Sequence, residues 1–410
     1  MNVLVLNAGS SSLKFSVYAV SSAGEIDLAD GLLDWQDPAR PAQAELVAHA
    51  GGERRVTWEA TADHPEARVA EVLRALARLD PPVIAGPGDI GAVGHRVVHG
   101  GITYRTPVRI DAQVLAEIDH LSELAPLHNP PAVAGIRAAQ TVLPAVPQVA
   151  VFDTAFHASL PEAAYVYPFP YQWYADWGVR RFGFHGISHA YCAGRAAELL
   201  GRPLSDLRLV NCHQGNGCSL AAIAGGRSVD TTMGFTPLDG VMMGTRGGSI
   251  DPGILVYLQR ERQVGPDALD DALEHGSGLL GVSGVAADMR TVGEAAAAGN
   301  ARAQLAIAIF VRRVQAGIAA MAASMGGLDA LIFTAGIGEH AAAVRAAICA
   351  PLGFMGVAVD ATRNAAATPD VEITGPGAAV RVLVIHTQED RLIARETARV
   401  LSLAEGPGGV

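Results

Sequence analysis

The chain has 410 residues, half of them hydrophobic and 17% charged, with 46 glycines and only 5% aromatic side chains. That length allows two ordinary domains or one large α/β unit, and the balance excludes a small folding module and a mainly disordered chain. Thirty basic against 41 acidic residues leave a formal charge of -11, which argues against the broad cationic surface of a nucleic-acid binder while leaving room for a local basic pocket.

Met1 to Leu6 carries no basic leader followed by a long apolar segment. Later apolar stretches are broken by Arg, Asp or Gly before membrane-spanning length, so a soluble, cytoplasmic protein with no membrane partner is expected. Cys192, Cys212, Cys218 and Cys349 lack compact metal-ligand spacing and are expected to be reduced and mostly buried.

Residues 3–6 read as a buried strand, residues 7–12 as a tight small-residue turn and residues 15–18 as a returning strand. Such a turn can offer successive backbone N–H groups to a phosphate, with Lys14 adding a positive charge. Short glycine motifs also close ordinary hairpins, and taken alone this one favours that simpler reading. Helical spacing over residues 65–79 stops at Pro81-Pro82. Residues 90–98 then read as a strand whose end carries His95, Arg96 and His99. Residues 147–152 form another strand, ending at Asp153, at the carboxyl edge of a sheet where open α/β folds place ligands.

A second strand-turn-strand unit follows: residues 208–211 extended, residues 213–219 a polar, glycine-rich turn, residues 220–223 apolar. Its outline echoes the first hairpin and suggests two similarly built lobes, each with a phosphate-sized turn. Residues 304–325 read as a long helix, residues 328–333 as a strand, residues 336–338 as a turn and Glu339 as the start of another helix. The tail reads as a strand over residues 380–385, a polar turn over residues 386–390 and an amphipathic helix over residues 391–403. Glu389 lies at that strand-to-helix junction. Placed beside Asp153 it completes an oxygen-rich site for a divalent cation; alone, it is more simply an acidic helix cap.

Several motifs stand in order along the chain: Asn7-Ala8-Gly9-Ser10-Ser11-Ser12-Leu13-Lys14, Gly94-His95-Arg96-Val97-Val98-His99-Gly100, Pro126-Leu127-His128-Asn129-Pro130-Pro131 and Phe152-Asp153-Thr154-Ala155-Phe156-His157. Arg181-Phe182-Gly183-Phe184-His185-Gly186, Met233-Gly234-Phe235-Thr236-Pro237-Leu238 and Ile393-Ala394-Arg395-Glu396-Thr397 complete the set. Together they make the chain resemble the acetate kinase family of short-chain carboxylate kinases, in the actin-like ATPase superfamily. The resemblance implies an α/β fold of two duplicated actin-like (ribonuclease H-like) lobes with a catalytic cleft between them. It also implies a first lobe of residues 1–154 plus 388–410 on the acceptor and phosphoryl-transfer side, and a second lobe of residues 155–387 on the nucleotide side. The implied reaction is reversible, direct in-line transfer of the γ-phosphoryl group between ATP and acetate, giving acetyl phosphate and ADP. Mg²⁺ is the implied cation, with Mn²⁺ as a substitute, and a homodimer the implied assembly.

The resemblance also implies site residues. Arg96 and Arg246 match paired arginines suited to a carboxylate and to the oxygens of the moving phosphoryl group, where planar guanidinium donors offset repulsion between two anions. His185 matches a donor to that group, with His128 and His213 nearby on the phosphate side. Asn7, Asp153 and Glu389 match the metal-associated positions. Val98, Leu127, Phe184 and Pro237 match an apolar pocket for the acetate methyl group. On the nucleotide side, Lys14, His213, Gln214, Gly215, Asn216 and Gly217 match phosphate contacts, Asp288, Met289 and Arg290 match adenosine-side contacts, and Gly336, Ile337, Gly338, Glu339 and His340 match a base-proximal turn. Gln214 and His340 depart from the usual pattern. Two alternatives retain many of these motifs: a propionate-preferring kinase and a nonenzymatic actin-like nucleotide switch.

Overall fold

The computed structural model describes residues 1–35, 42–49 and 52–404, so residues 405–410 of the expected returning segment lie outside the described residues. The chain divides into two compact units, Met1–Ala155 with Gln388–Val410, and Phe156–Thr387.

Unit one is built on eight strands: β1 (Asn2–Ala8), β2 (Ser12–Ser21), β3 (Gly24–Asp34), β4 (Gln43–Ala48), β5 (Arg54–Glu59), β6 (Ile90–Val97), β7 (Val108–Arg109) and β8 (Gln148–Phe152). They are ordered β5-β4-β3-β2-β1-β6-β8-β7. β1 pairs antiparallel with β2 and parallel with β6, which in turn pairs parallel with β8. Every residue of β8 is buried, which explains its apolar run after Gln148: a strand in the parallel part of a covered sheet has no solvent face to alternate toward. Helix Asn129–Val142 packs Val133 and Ile136 over Val97, Ala150 and Phe152. The opening strands share a core with helix Pro65–Arg78 through Leu4, Leu6, Val69, Leu73 and Leu76.

The tail helix Glu389–Ala404 belongs to this unit. It approaches β6 closely at Gly94, where an added Cβ would meet Thr397 Oγ1 at 2.5 Å and Ile393 Cγ2 at 2.8 Å. Arg395 also grips Glu25 of β3 with two hydrogen bonds of 2.7 and 2.9 Å.

Unit two repeats the central pattern with β9 (Arg208–Gln214), β10 (Cys218–Ala224), β11 (Arg227–Thr231), β12 (Ala330–Thr334), β13 (Val371–Glu372) and β14 (Arg381–Val384), ordered β11-β10-β9-β12-β14-β13. β9 is antiparallel to β10 and parallel to β12, and β12 is parallel to β14. In both sheets an antiparallel meander leads into a parallel core, so the two glycine hairpins occupy corresponding places in a duplicated α/β plan.

Three sequence expectations need correction. His213 and Gln214 are not in the second turn but in β9, because Gln214 pairs with Cys218 and His213 with Ser219; the turn shrinks to residues 215–217. Residues 336–338 do not form a turn ahead of a helix. They lie inside helix Ala335–His340, where Ala335 takes φ 63° and the Glu339 carboxylate accepts from its backbone N–H. Finally, helix Ala301–Ser324 is long and apolar enough to meet the length and composition of a membrane span. Its buried residues, Ala303, Ala306, Phe310, Val314, Ile318, Met321 and Ala322, recur at helical spacing on one face, the stripe expected of a core helix. All four cysteines are buried, and none of them is in a disulfide.

Candidate active site

In unit one the carboxyl ends of the parallel strands collect the predicted residues. Asn7 lies near the end of β1 and opposite Lys14 of β2. Arg96 lies near the end of β6, Asp153 immediately after β8, and Glu389 at the start of the tail helix. Arg96 Nη2 donates to Asp153 Oδ2 at 2.6 Å and its Nε to Oδ1 at 3.4 Å, a two-pronged contact. Its Nη1 stands 3.5 Å from Asn7 Oδ1 and its Nε 3.9 Å from Glu389 Oε2. Burial opposes the guanidinium charge, but Asp153 and Glu389 outweigh it and raise its pKa above the ordinary value. His95 and His99 are different: burial lowers each imidazole to about 4, so both are neutral structural groups at pH 7.

Asp390 is a member that sequence reasoning missed. Its carboxylate accepts from Ser16 Oγ at 3.1 Å. Desolvation and the neighbouring Glu389 push its pKa up to about 6, against the opposing pull of Ser16, Lys14 and Arg96. The doubled acid Glu389-Asp390 at a helix start was the available signal. The donor set fits a hard divalent cation, since Asp153, Glu389 and Asn7 offer only oxygen, and three neighbouring carboxylates exceed the two cations Arg96 and Lys14.

Unit two brings a second group together. The turn between β9 and β10 is closed by Gly215 N–H donating to Gly217 O at 3.0 Å. A Cβ on Gly217 would sit 3.2 Å from both Cε1 and Nε2 of His185, so that imidazole edge lies against the turn. His185 occupies φ 55° at the N-terminus of helix Gly186–Leu200, a left-handed conformation that costs energy in a residue with a Cβ and concentrates at functional positions. Its ring stacks on His213 with centroids 4.1 Å apart. The side chain of Asn216 is exposed, and Gly244 N–H donates to its backbone oxygen at 2.9 Å. Arg246 follows closely, and its Nε donates to Glu274 Oε2 at 2.6 Å. Glu274, 28 residues away, had no local sequence signal.

Other predicted residues are placed as follows. Gln214 is fully buried, and neither its Oε1 nor its Nε2 has a hydrogen-bond partner. Asp288 caps helix Met289–Ala297 by accepting from Thr291 N–H, which lowers its carboxyl pKa; Met289 is buried and Arg290 largely exposed. Glu339 is buried and also binds His386 Nδ1 at 2.7 Å, while Gly336 and His340 are exposed. Val98 and Leu127 belong to unit one, Phe184 and Pro237 to unit two. Phe184 is buried, Val98 and Pro237 are half-buried, and Leu127 is exposed. His128 precedes helix Asn129–Val142 in unit one.

The chain matches the acetokinase family over residues 2–395. It is 53% identical over 407 residues to the acetate kinase of Gloeobacter violaceus, with 97% of this chain and 98% of that protein aligned. Among solved structures, it resembles Porphyromonas gingivalis acetate kinase with TM-score 0.90 and 37% identity, covering 98% of this chain and 99% of that one. A propionate kinase from Francisella tularensis gives TM-score 0.87 at 37% identity, over 97% of this chain and 99% of that one. The two-sheet α/β fold is the actin-like ATPase fold shared with such structures.

Proposed function

Because this chain belongs to the acetokinase family, we propose that it catalyses reversible transfer of the γ-phosphoryl group of ATP to acetate. The products are acetyl phosphate and ADP, and the transfer is a direct in-line displacement. The observation that carries this reading is the cluster at the ends of β1, β6 and β8, where Arg96 is held by Asp153 at 2.6 Å beside Asn7 and Glu389. The chemistry requires two anions to meet, and a fixed guanidinium beside an oxygen-rich cation site reduces their repulsion.

In this reading Arg96 and Arg246 bind the acceptor carboxylate and the equatorial phosphoryl oxygens, and His185 donates a hydrogen bond to the same group. His128 and His213 line the phosphate side. Val98, Leu127, Phe184 and Pro237 receive the methyl group. Lys14 and the β9–β10 turn hold the nucleotide phosphates. Asp153, Glu389 and Asn7 would hold a divalent cation, Mg²⁺ with Mn²⁺ as substitute, which neutralises phosphate charge when bound.

The test is an Mg-ATP-dependent panel of acetate, propionate and butyrate, with acyl phosphates trapped as hydroxamates. Acetate is expected to have the highest kcat/KM, by about tenfold or more over propionate, since one methylene in an apolar pocket is worth about 1–3 kcal/mol. Higher propionate efficiency would replace the substrate, and no product with any acid would favour a nonenzymatic nucleotide switch. A γ-phosphorus made chiral with oxygen isotopes is expected to invert; retention would exclude single in-line transfer.

A cytoplasmic homodimer belongs to the same reading. Phe169, Tyr171, Trp173 and Trp177 are 49%, 63%, 39% and 68% exposed within one short stretch of unit two, and clustered exposed aromatics are typical of covered interfaces. Sedimentation velocity is expected to give a species of twice the chain mass, with a persistent monomer as the contrary result.

A further inference from the structure

Histidines of unit two are tied together through serine hydroxyls on one face of its sheet. The β9–β10 register sets Ser219 opposite His213, with Asn211 two residues earlier on the same face of β9. The first turn of helix Gly186–Leu200 brings Ser188 and His189 to these groups. Asn211 Nδ2 stands 2.9 Å from His189 Nδ1, His189 Nε2 stands 2.8 Å from Ser219 Oγ, and Ser219 Oγ stands 2.9 Å from His185 Nδ1.

Donor and acceptor requirements give this chain of bonds a direction. An amide nitrogen only donates, so His189 Nδ1 accepts. Burial holds the His189 pKa well below its ordinary value, so the ring is neutral and its one proton is on Nε2. That N–H donates to Ser219 Oγ, whose hydrogen bonds among the described residues reach only the two rings, so its own hydrogen goes to the one acceptor left, His185 Nδ1. A neutral His185 must therefore carry its proton on Nε2, at the ring edge that faces Gly217.

The stacked neighbour follows the same pattern. Thr387 Oγ1 donates to Ser188 Oγ at 2.8 Å, and Ser188 Oγ stands 2.8 Å from His213 Nδ1. The Ser188 hydrogen is thus available to Nδ1, while a Cβ on Gly215 would lie 3.7 Å from His213 Nε2. Both rings are held by a serine at Nδ1 and turn Nε2 toward the glycine turn.

We propose that Asn211, His189 and Ser219 are positioning residues that lock His185 in the Nε2–H tautomer, so that it donates a hydrogen bond to the phosphoryl group in transit. The identity of the acceptor rests on the phosphoryl-transfer reading; the tautomer does not. A mobile or mixed tautomer would present a lone pair to the phosphoryl oxygens part of the time, which repels charge instead of stabilising it.

The tautomer is read from ¹⁵N shifts of histidine-labelled full-length protein without substrates, with the His185 signal assigned by its loss in His185→Gln. Wild type is expected to show His185 protonated at Nε2. Ser219→Ala is expected to give a mixture and to lower kcat by about tenfold, as loss of one hydrogen bond allows, with KM for acetate changed by less than about twofold. Ser219→Thr, which keeps the hydroxyl, is expected to restore both tautomer and rate. Protonation at Nδ1 in wild type, as an inverted Asn211 amide would produce by reversing every bond, overturns the proposal. So does a Ser219→Ala protein with unchanged tautomer and kcat. If the Nε2–H tautomer is locked as stated but no acid yields an acyl phosphate, the functional reading fails and the locking network stands.

Discussion

Replacing Arg96 with alanine is expected to lower kcat by about 10³-fold, a loss of roughly 4 kcal/mol of transition-state stabilisation. The guanidinium is the only cation that meets both Asp153, at 2.6 Å, and Glu389, at 3.9 Å, among the described ion pairs. Its removal takes away donors fixed in place before reaction, the kind of electrostatic help that needs no reorganisation when charge develops. Arg96→Lys keeps the charge but not the planar fork that engages both Asp153 oxygens, so it is expected to recover only part of the rate. Steady-state kinetics with a melting curve for each variant checks this. A folded Arg96→Ala enzyme with kcat within about threefold of wild type would remove Arg96 from the reaction.

Asp153→Asn is expected to raise the Mg²⁺ concentration for half-maximal rate by at least about tenfold and to lower kcat by about 10²-fold. Asparagine nearly preserves the shape and one acceptor while deleting the charge, so the change reports on electrostatics more than on packing. Asp153 is 1% exposed, and weakening its contact with Arg96 is expected to cost about 1–3 kcal/mol of stability. Metal titrations at saturating ATP separate the two effects. An unchanged metal dependence with a lowered melting temperature would make Asp153 solely a support for Arg96.

The sheet strands around these residues are legible because burial on both faces writes a continuous apolar run, as in residues 149–152, and because glycine and serine mark the turns between them. The outer meander β3 to β5 was not recovered: residues such as Asp27, Asp30 and Glu45 interrupt its pattern on partly exposed strands. The second turn is shorter than its composition suggests, because His213 and Gln214 are polar yet their backbone groups continue the β9–β10 ladder. Tertiary pairing overrode local composition there.

The site divides along the same line. Arg96, Asp153 and His185 stand in ordered motifs and Glu389 at a strand-to-helix junction, but their supports carry no such signal. Asp390 meets Ser16 across 374 residues, Arg246 meets Glu274 across 28, and Ser219 bridges His185 and His189 across 34 and 30. No local periodicity encodes such partners.

The sequence by itself determined the kind of chemistry available: two glycine hairpins, cationic and acidic groups at strand ends, and an α/β core. Only the tertiary structure decided which groups meet, that Arg96 is clamped by Asp153, and which nitrogen of His185 is held by a hydroxyl. The physical reason is that burial and turn preference act on neighbouring residues, whereas pairing depends on strand register and crossing order, which come into being only when distant segments share one sheet.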